Sequence, residues 1–264
     1  GDTLEILPGH KKTKIRGIQT HDSNVDSVQL GARAAINLQG IEADELERGC
    51  QVATPEYFQN HDTLGAKVTL LSSSKYPLVQ NQRVRIHLGT QEVMARLALP
   101  DRISIEPGDD GPAIFRLEKS LIASIGDKFI IRLYSPVITI GGGEVIETEL
   151  MGKWKDIKEK ITHIYNLKDN ERFRYRIESA ESKPISKSEL ALNLGLSIEK
   201  IESIVSQDNQ LKWIKHKTLT WLLTLNQLRV KILLSILQLP MLILNRYLEI
   251  GITCNQTLDM RNLL

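Results

Sequence analysis

The chain should fold as a multidomain β + α protein: two β units, each an antiparallel sandwich or barrel, followed by a winged helix-turn-helix module. Period-two alternation of apolar and polar residues runs to about residue 150, broken repeatedly by turn residues. After Gly152 the apolar period becomes helical. The composition is that of a globular chain: 264 residues, Lys+Arg 34 against Asp+Glu 32, 41% apolar and 25% charged. It excludes a wholly disordered chain, a collagen and a disulfide-stapled miniprotein.

In the β region, Val84, Ile86 and Leu88 alternate with Arg83, Arg85 and His87. Ala113, Phe115 and Leu117 do the same against Ile114, Arg116 and Glu118, and Phe129, Ile131 and Leu133 against Ile130, Arg132 and Tyr134. Such alternation sends one set of side chains into a sheet's interior and the other out of it. Turns fall at Pro8-Gly9, Gly31, Gly49, the segment 107–112 and Gly126-Asp127. A break near Pro55–Asn60 separates a small β unit from a larger one.

Trp154, Ile157, Ile161, Ile164 and Leu167 then predict a helix with Lys155, Lys158, Glu159 and Lys160 on its other face. Ser186-Lys187-Ser188-Glu189 has the spacing of a capping box, and Leu190, Ala191 and Leu194 follow it. Ser197 opens a further helix that buries Ile198, Ile201, Ile204 and Val205 and exposes Glu199, Lys200, Glu202 and Ser203. Leu211–Leu222 reads as a hairpin turning at Lys215-His216-Lys217. The longest uncharged stretch of the tail, Ile232–Asn245, is shorter than the about 18–20 residues of a membrane span, so no membrane contact is expected.

Charge is unevenly spread. Residues 1–55 and 56–150 each carry two more acidic than basic side chains, whereas residues 151–221 carry 14 basic against 10 acidic. A polyanion should favour the second half. The carboxylates Glu199 and Glu202 argue against the helix after Ser197 reading a groove, so Lys212, Lys215 and Lys217 of the hairpin are the wing candidates for nucleic acid.

Most signs of chemistry fail on spacing. Gly141-Gly142-Gly143 runs into Glu144-Val145-Ile146-Glu147 rather than Lys-Ser/Thr, so it reads as a close strand crossing and not a phosphate loop. The six histidines are scattered, with no pair at helical i, i+4 spacing, and Cys50 and Cys254 form no paired motif. No metal site, disulfide framework or nucleophile elbow is expected, and the cysteine usage suits a reducing, cytoplasmic home. Asp109-Asp110 reads as turn chemistry.

Two segments nevertheless carry a family signature. Residues 125–143, from Ile125-Gly126-Asp127 through Arg132-Leu133-Tyr134-Ser135-Pro136 to Thr139-Ile140-Gly141-Gly142-Gly143, resemble the closing strand of the third domain in selenocysteine-specific elongation factors of bacterial type. Residues 31–40 with Glu47-Arg48-Gly49 resemble later strands of that family's second domain, after an opening Lys14–His21.

The resemblance implies two translation-factor-type β-barrels followed by winged-helix modules. Residues 1–55 would be a partial second-domain barrel, 56–150 the third-domain barrel, 153–222 a first winged helix and 223–264 the start of a second. It implies delivery of selenocysteinyl-tRNA to the ribosome at a recoded UGA, driven by GTP with Mg in the full-length family. The P-loop and switch regions are expected upstream of Gly1, leaving this chain no enzyme activity and no cofactor of its own. The modules that grip the selenocysteine-insertion mRNA hairpin are expected downstream.

Carried over residue by residue, the resemblance puts Arg33 at the aminoacyl end of the tRNA. A selenol is largely anionic at neutral pH, and a guanidinium that keeps its proton would favour it over neutral serine. The bland alternative pairs Arg33 with Glu42 or another carboxylate at the barrel surface. Arg83, Arg85 and Arg132 are the candidates for contact with the tRNA backbone. Two other function classes stand beside this reading: a winged-helix DNA-binding regulator with a β sensor domain, and a β-barrel protein-interaction module.

Overall fold

In a computed structural model of the chain, the described residues are 1–29, 31–179, 185–187, 190–191, 196–209, 211–216 and 219–224. They fall into two compact units, residues 1–166 and the portion from Leu167 onward.

The first unit begins with an open sheet. Its strands are β1 (Thr3–Leu7), β2 (Lys11–Thr20), β3 (Ser23–Val25), β4 (Ala35–Leu38) and β5 (Gln51–Ala53), in the order β3-β2-β1-β5, with β4 also on β2. The segments at 14–21 and 31–40 meet here, since β2 and β4 pair antiparallel with Gln19 opposite Ala35. Few side chains are sealed. Ile6 and Leu7 are buried, and Glu5, also buried, accepts hydrogen bonds from the Glu56 backbone N–H (2.8 Å) and His10 Nδ1 (3.1 Å). Those bonds, the Glu56 one foremost, hold the Glu5 carboxyl below the usual carboxylate range.

Eight strands follow: β6 (Asn60–Leu70), β7 (Leu78–Val79), β8 (Arg83–Leu88), β9 (Gln91–Ala98), β10 (Ser104–Ile105), β11 (Asp110–Ile122), β12 (Lys128–Leu133) and β13 (Thr139–Glu147). Six of them close into a barrel in the order β11-β6-β13-β12-β8-β9, while β7 and β10 pair separately. The alternation resolves as expected: Val84, Ile86, Leu88, Ala113, Phe115, Phe129, Ile131 and Leu133 fill the interior. Phe115 and Phe129 meet edge-to-face with ring centres 5.5 Å apart.

The glycine run lies in β13 between β6 and β12. A Cβ on Gly141 would come within 2.5 Å of the Thr69 carbonyl oxygen, and one on Gly143 within 2.4 Å of the Lys67 carbonyl oxygen. Only glycine lets the three strands approach so closely.

Helix α1 (Trp154–Asn166) buries Ile157, Ile161 and Ile164, at the spacing read from the sequence. It packs on β6, β11 and β13 and lies in the first compact unit, which ends at Asn166. Its seat is apolar because Ile114 and Ile146, outward-pointing on their strands, are buried too. Ile161 sits over Gly65, where a Cβ would stand 2.1 Å from Ile161 Cδ1. Lys160 Nζ reaches the fully buried Glu147 at 2.8 Å and donates to the Glu149 carbonyl at 2.9 Å. Tyr165 Oη donates to Asp110 Oδ2 at 2.6 Å, so Asp110 anchors a helix rather than only a turn.

The second unit starts with a helix that the periodicity did not announce, α2 (Asp169–Ser179). After it come β14 (Ile185–Ser186), a helical stretch touching residues 187 and 190–191, α3 (Ile198–Gln207), β15 (Leu211–His216) and β16 (Leu219–Thr224). Its three-stranded sheet runs β14-β16-β15. Phe173, Ile177, Leu190, Ile201, Val205 and Leu211 make its core. This is a winged-helix order with α2, not α1, as its first helix.

Ser197 caps α3 by accepting from the Lys200 N–H, and Glu199, Lys200, Glu202 and Ser203 are exposed. The hairpin turns later than expected, since His216 still pairs with Leu219. The capping box at 186–189 and the second winged helix at 223–264 lie partly or almost wholly outside the described residues.

Candidate nucleic-acid interface

The barrel's register decides which outward side chains become neighbours. Arg132 on β12 faces Arg85 on β8, which faces Met94 on β9. One row along, Arg83 on β8 faces Arg96 on β9, which faces Arg116 on β11. Residues scattered from 83 to 132 in sequence thus form one wall, with five arginines against the two glutamates Glu92 and Glu118. All three expected backbone contacts, Arg83, Arg85 and Arg132, stand on it.

Two of its five guanidiniums pair with carboxylates. Arg83 holds Glu118 through two bonds, Nε to Oε1 at 2.7 Å and Nη2 to Oε2 at 2.5 Å, and Arg85 pairs with Glu92. Those contacts draw both carboxyls below their ordinary range, the arginine hydrogen bond being the main cause in each. Tyr134 lies against the pair, its ring centre 4.6 Å from the Arg83 guanidinium and 5.5 Å from that of Arg85. Arg132 Nη2 donates to the Val137 carbonyl at 3.1 Å. Arg96 is exposed and makes no ion pair among the described residues.

Arg85 Nε, Arg132 Nε and His87 Nε2 are buried and make no hydrogen bond among the described residues. A wall with exposed arginines such as Arg96 and Arg116 and a π-face suits phosphate oxygens better than an apolar partner. Sequence reading missed Arg96, Arg116 and Tyr134. The first two were visible as polar positions between the buried Ala95 and Leu97 and beside the buried Phe115.

The other candidates do not join the wall in one place. Arg33 is exposed, in the segment entering β4, where its carbonyl accepts from Thr20 Oγ1 at 3.1 Å, and it forms no ion pair with Glu42 among the described residues. Lys212 and Lys215 lie on β15 opposite Leu223 and Thr220; their side chains, and Lys217 altogether, are outside the described residues. Among the described residues no group of His, Cys, Asp and Glu could hold a metal ion, and no helix is long and apolar enough to cross a membrane. The glycine run, paired on both sides within the sheet, offers no phosphate cradle.

Residues 65–150, the span of this barrel, match the family described as "Selenocysteine-specific elongation factor, beta-barrel domain". The barrel is thus similar to the β-barrel domain of selenocysteine-specific elongation factors. It is 36% identical over 146 residues to such a factor from Desulfomicrobium baculatum, covering 55% of this chain and 23% of that protein. It is 33% identical over 165 residues to the one from Methanocaldococcus jannaschii, covering 56% of this chain and 35% of that protein. The chain therefore spans about a quarter to a third of the length of these relatives.

Solved structures agree. A bacterial selenocysteine-specific elongation factor, EF-Sec, aligns over 90% of this chain and 36% of its own with a TM-score of 0.65 at 19% identity, a likeness of fold. The translation elongation factor SelB from Methanococcus maripaludis in its apo form aligns over 60% of this chain and 38% of its own, with a TM-score of 0.50 at 25% identity.

Proposed function

We propose that this chain is the tRNA-holding and mRNA-linking part of a factor that delivers selenocysteinyl-tRNA to the ribosome. The arginine wall of the barrel carries the reading: it presents surplus positive charge on the domain that matches the family. Arg83, Arg85 and Arg132 take the RNA backbone, positioning the tRNA without reading its sequence. Arg33 senses the charged selenolate at the aminoacyl end. The winged helix links these sheets to modules that hold the mRNA hairpin, with Lys212, Lys215 and Lys217 as its nucleic-acid contacts. GTP and Mg act in a domain that this reading places elsewhere in the factor.

The test compares selenocysteinyl-tRNA and seryl-tRNA on the full-length factor. Arg33→Ala should weaken the first about tenfold or more and the second little, the worth of one charge-assisted contact. Equal losses would remove the selenolate-sensing role. Preference for duplex DNA over tRNA would remove the whole reading.

A further inference from the structure

The arginine wall does not stop at the barrel. Its row Arg83–Arg96–Arg116 ends on β11, and there the Arg116 guanidinium lies 5.1 Å from the ring centre of Trp154, the first residue of α1. Helix and strand run in opposite senses, because Trp154 meets Arg116 at one end and Tyr165 meets Asp110 at the other. Their lengths agree: the strand interval is about 20 Å and the helix interval about 17 Å. Helix α1 is thus laid along the wall's border.

Helical spacing decides which side chains extend that border. Lys158 stands one turn after Trp154 on the same edge, and Lys155 lies outward of both. Asp156 takes the opposite edge and Glu159 the solvent-facing back. Lys155 pairs with Glu159 at 3.7 Å, with both side chains more than two-thirds exposed. An exposed pair of this kind contributes little and exchanges readily for a phosphate. From the Arg132 strand to the Arg116 strand the wall is about 14 Å wide, and Lys158 adds roughly one further helix diameter, about 10 Å.

We propose that the edge of α1 formed by Trp154, Lys155 and Lys158 continues the arginine wall as one RNA-binding surface. The barrel grips one stretch of an RNA stem, and α1 grips the backbone of the next stretch of the same duplex. Arg116, stacked on Trp154, is the joint between them. This inference rests on the RNA-backbone reading of the wall given above.

The test measures fluorescence anisotropy of labelled RNA hairpins with stems of about 8 and about 16 base pairs, the latter the span of a double-stranded RNA module. Each is titrated with the chain across a salt series. Lys155→Gln with Lys158→Gln should lower the slope of log affinity against log salt by about 2 on the long stem and leave the short stem unchanged. Arg85→Gln with Arg132→Gln should weaken both stems.

If the lysine variant holds the long stem with unchanged slope while the arginine variant weakens it, the helix has no part and the barrel reading stands. If the unaltered chain binds neither stem at low salt, the barrel reading falls and this inference falls with it. Circular dichroism confirms that each variant is folded; the exchanged lysines are exposed or half-buried.

Discussion

The two outer faces of the barrel share strand β11 and have opposite fates. On β11, Ile114 is fully buried beneath α1, while Arg116, two residues on and pointing the same way, is exposed on the arginine wall. Closure fills the interior with one set of alternating residues; the outer set then decides, row by row, what lies on top. Apolar outward residues recruit a helix, and basic ones leave a wall open to a charged partner. Core packing therefore governs one face and electrostatics the other, which makes the contrast measurable.

The largest effect should come from the covered face. Ile161→Ala removes a fully buried side chain at the centre of the α1 seat and should cost about 2–4 kcal/mol in urea unfolding. Gly65→Val should cost about 1–3 kcal/mol by overpacking against Ile161. Combined, the two should cost less than their sum, because the valine fills the space the isoleucine leaves. Strict additivity would break the claim that Gly65 is the floor of that seat.

Lys160→Met should cost about 1–3 kcal/mol, since it takes a cation from a fully buried carboxylate. Next comes the pH dependence of the Tyr165–Asp110 bond. Burial, followed by the Asp110 hydrogen bond, pushes Tyr165 up to about 12 from 10.0. A raised tyrosine contributes stability that is whole below pH 10 and fades as the pH climbs toward 12. The Tyr165 hydrogen bond holds Asp110 below its ordinary value of 3.8, so its contribution is whole above that value and lost as acid protonates it. Ultraviolet titration should find a late-ionising tyrosine that Asp110→Asn brings back toward 10.

The smallest effect on folding belongs to the open wall. Arg96→Gln should leave the unfolding free energy within about 0.5 kcal/mol while lowering RNA affinity and its salt slope. A destabilisation as large as that of Ile161→Ala would erase the distinction between the two faces.

The alternation of Arg83–Leu88 and Phe129–Leu133 was readable because period two needs only a few residues to show which set turns inward. That β8 lies beside β12, bringing Arg85 to Arg132, was not readable from periodicity, since closure pairs strands about 45 residues apart. Helix α1 was legible in its Ile157, Ile161 and Ile164 stripe, but a stripe names a face and not the surface that covers it. The same stripe suits the first helix of a winged module and the outer face of a barrel alike. Helix α2 went unread because Glu171, Arg172, Arg174 and Arg176 surround only two buried residues, Phe173 and Ile177, whose i, i+4 spacing was the available sign. Arg33 owed its place to resemblance alone, and its exposed position fits a contact with something outside the fold.

The strand that carries Gly141, Gly142 and Gly143 lies between β6 and β12, which makes it the seam of the barrel. As the chain leaves a ribosome, β6 emerges early and must wait for roughly seventy further residues before its neighbour on that side exists. Until then its edge is bare and open to unwanted pairing. The glycines set how tightly the late arrival docks, so a bulkier residue there would hinder newborn chains and strain finished ones alike.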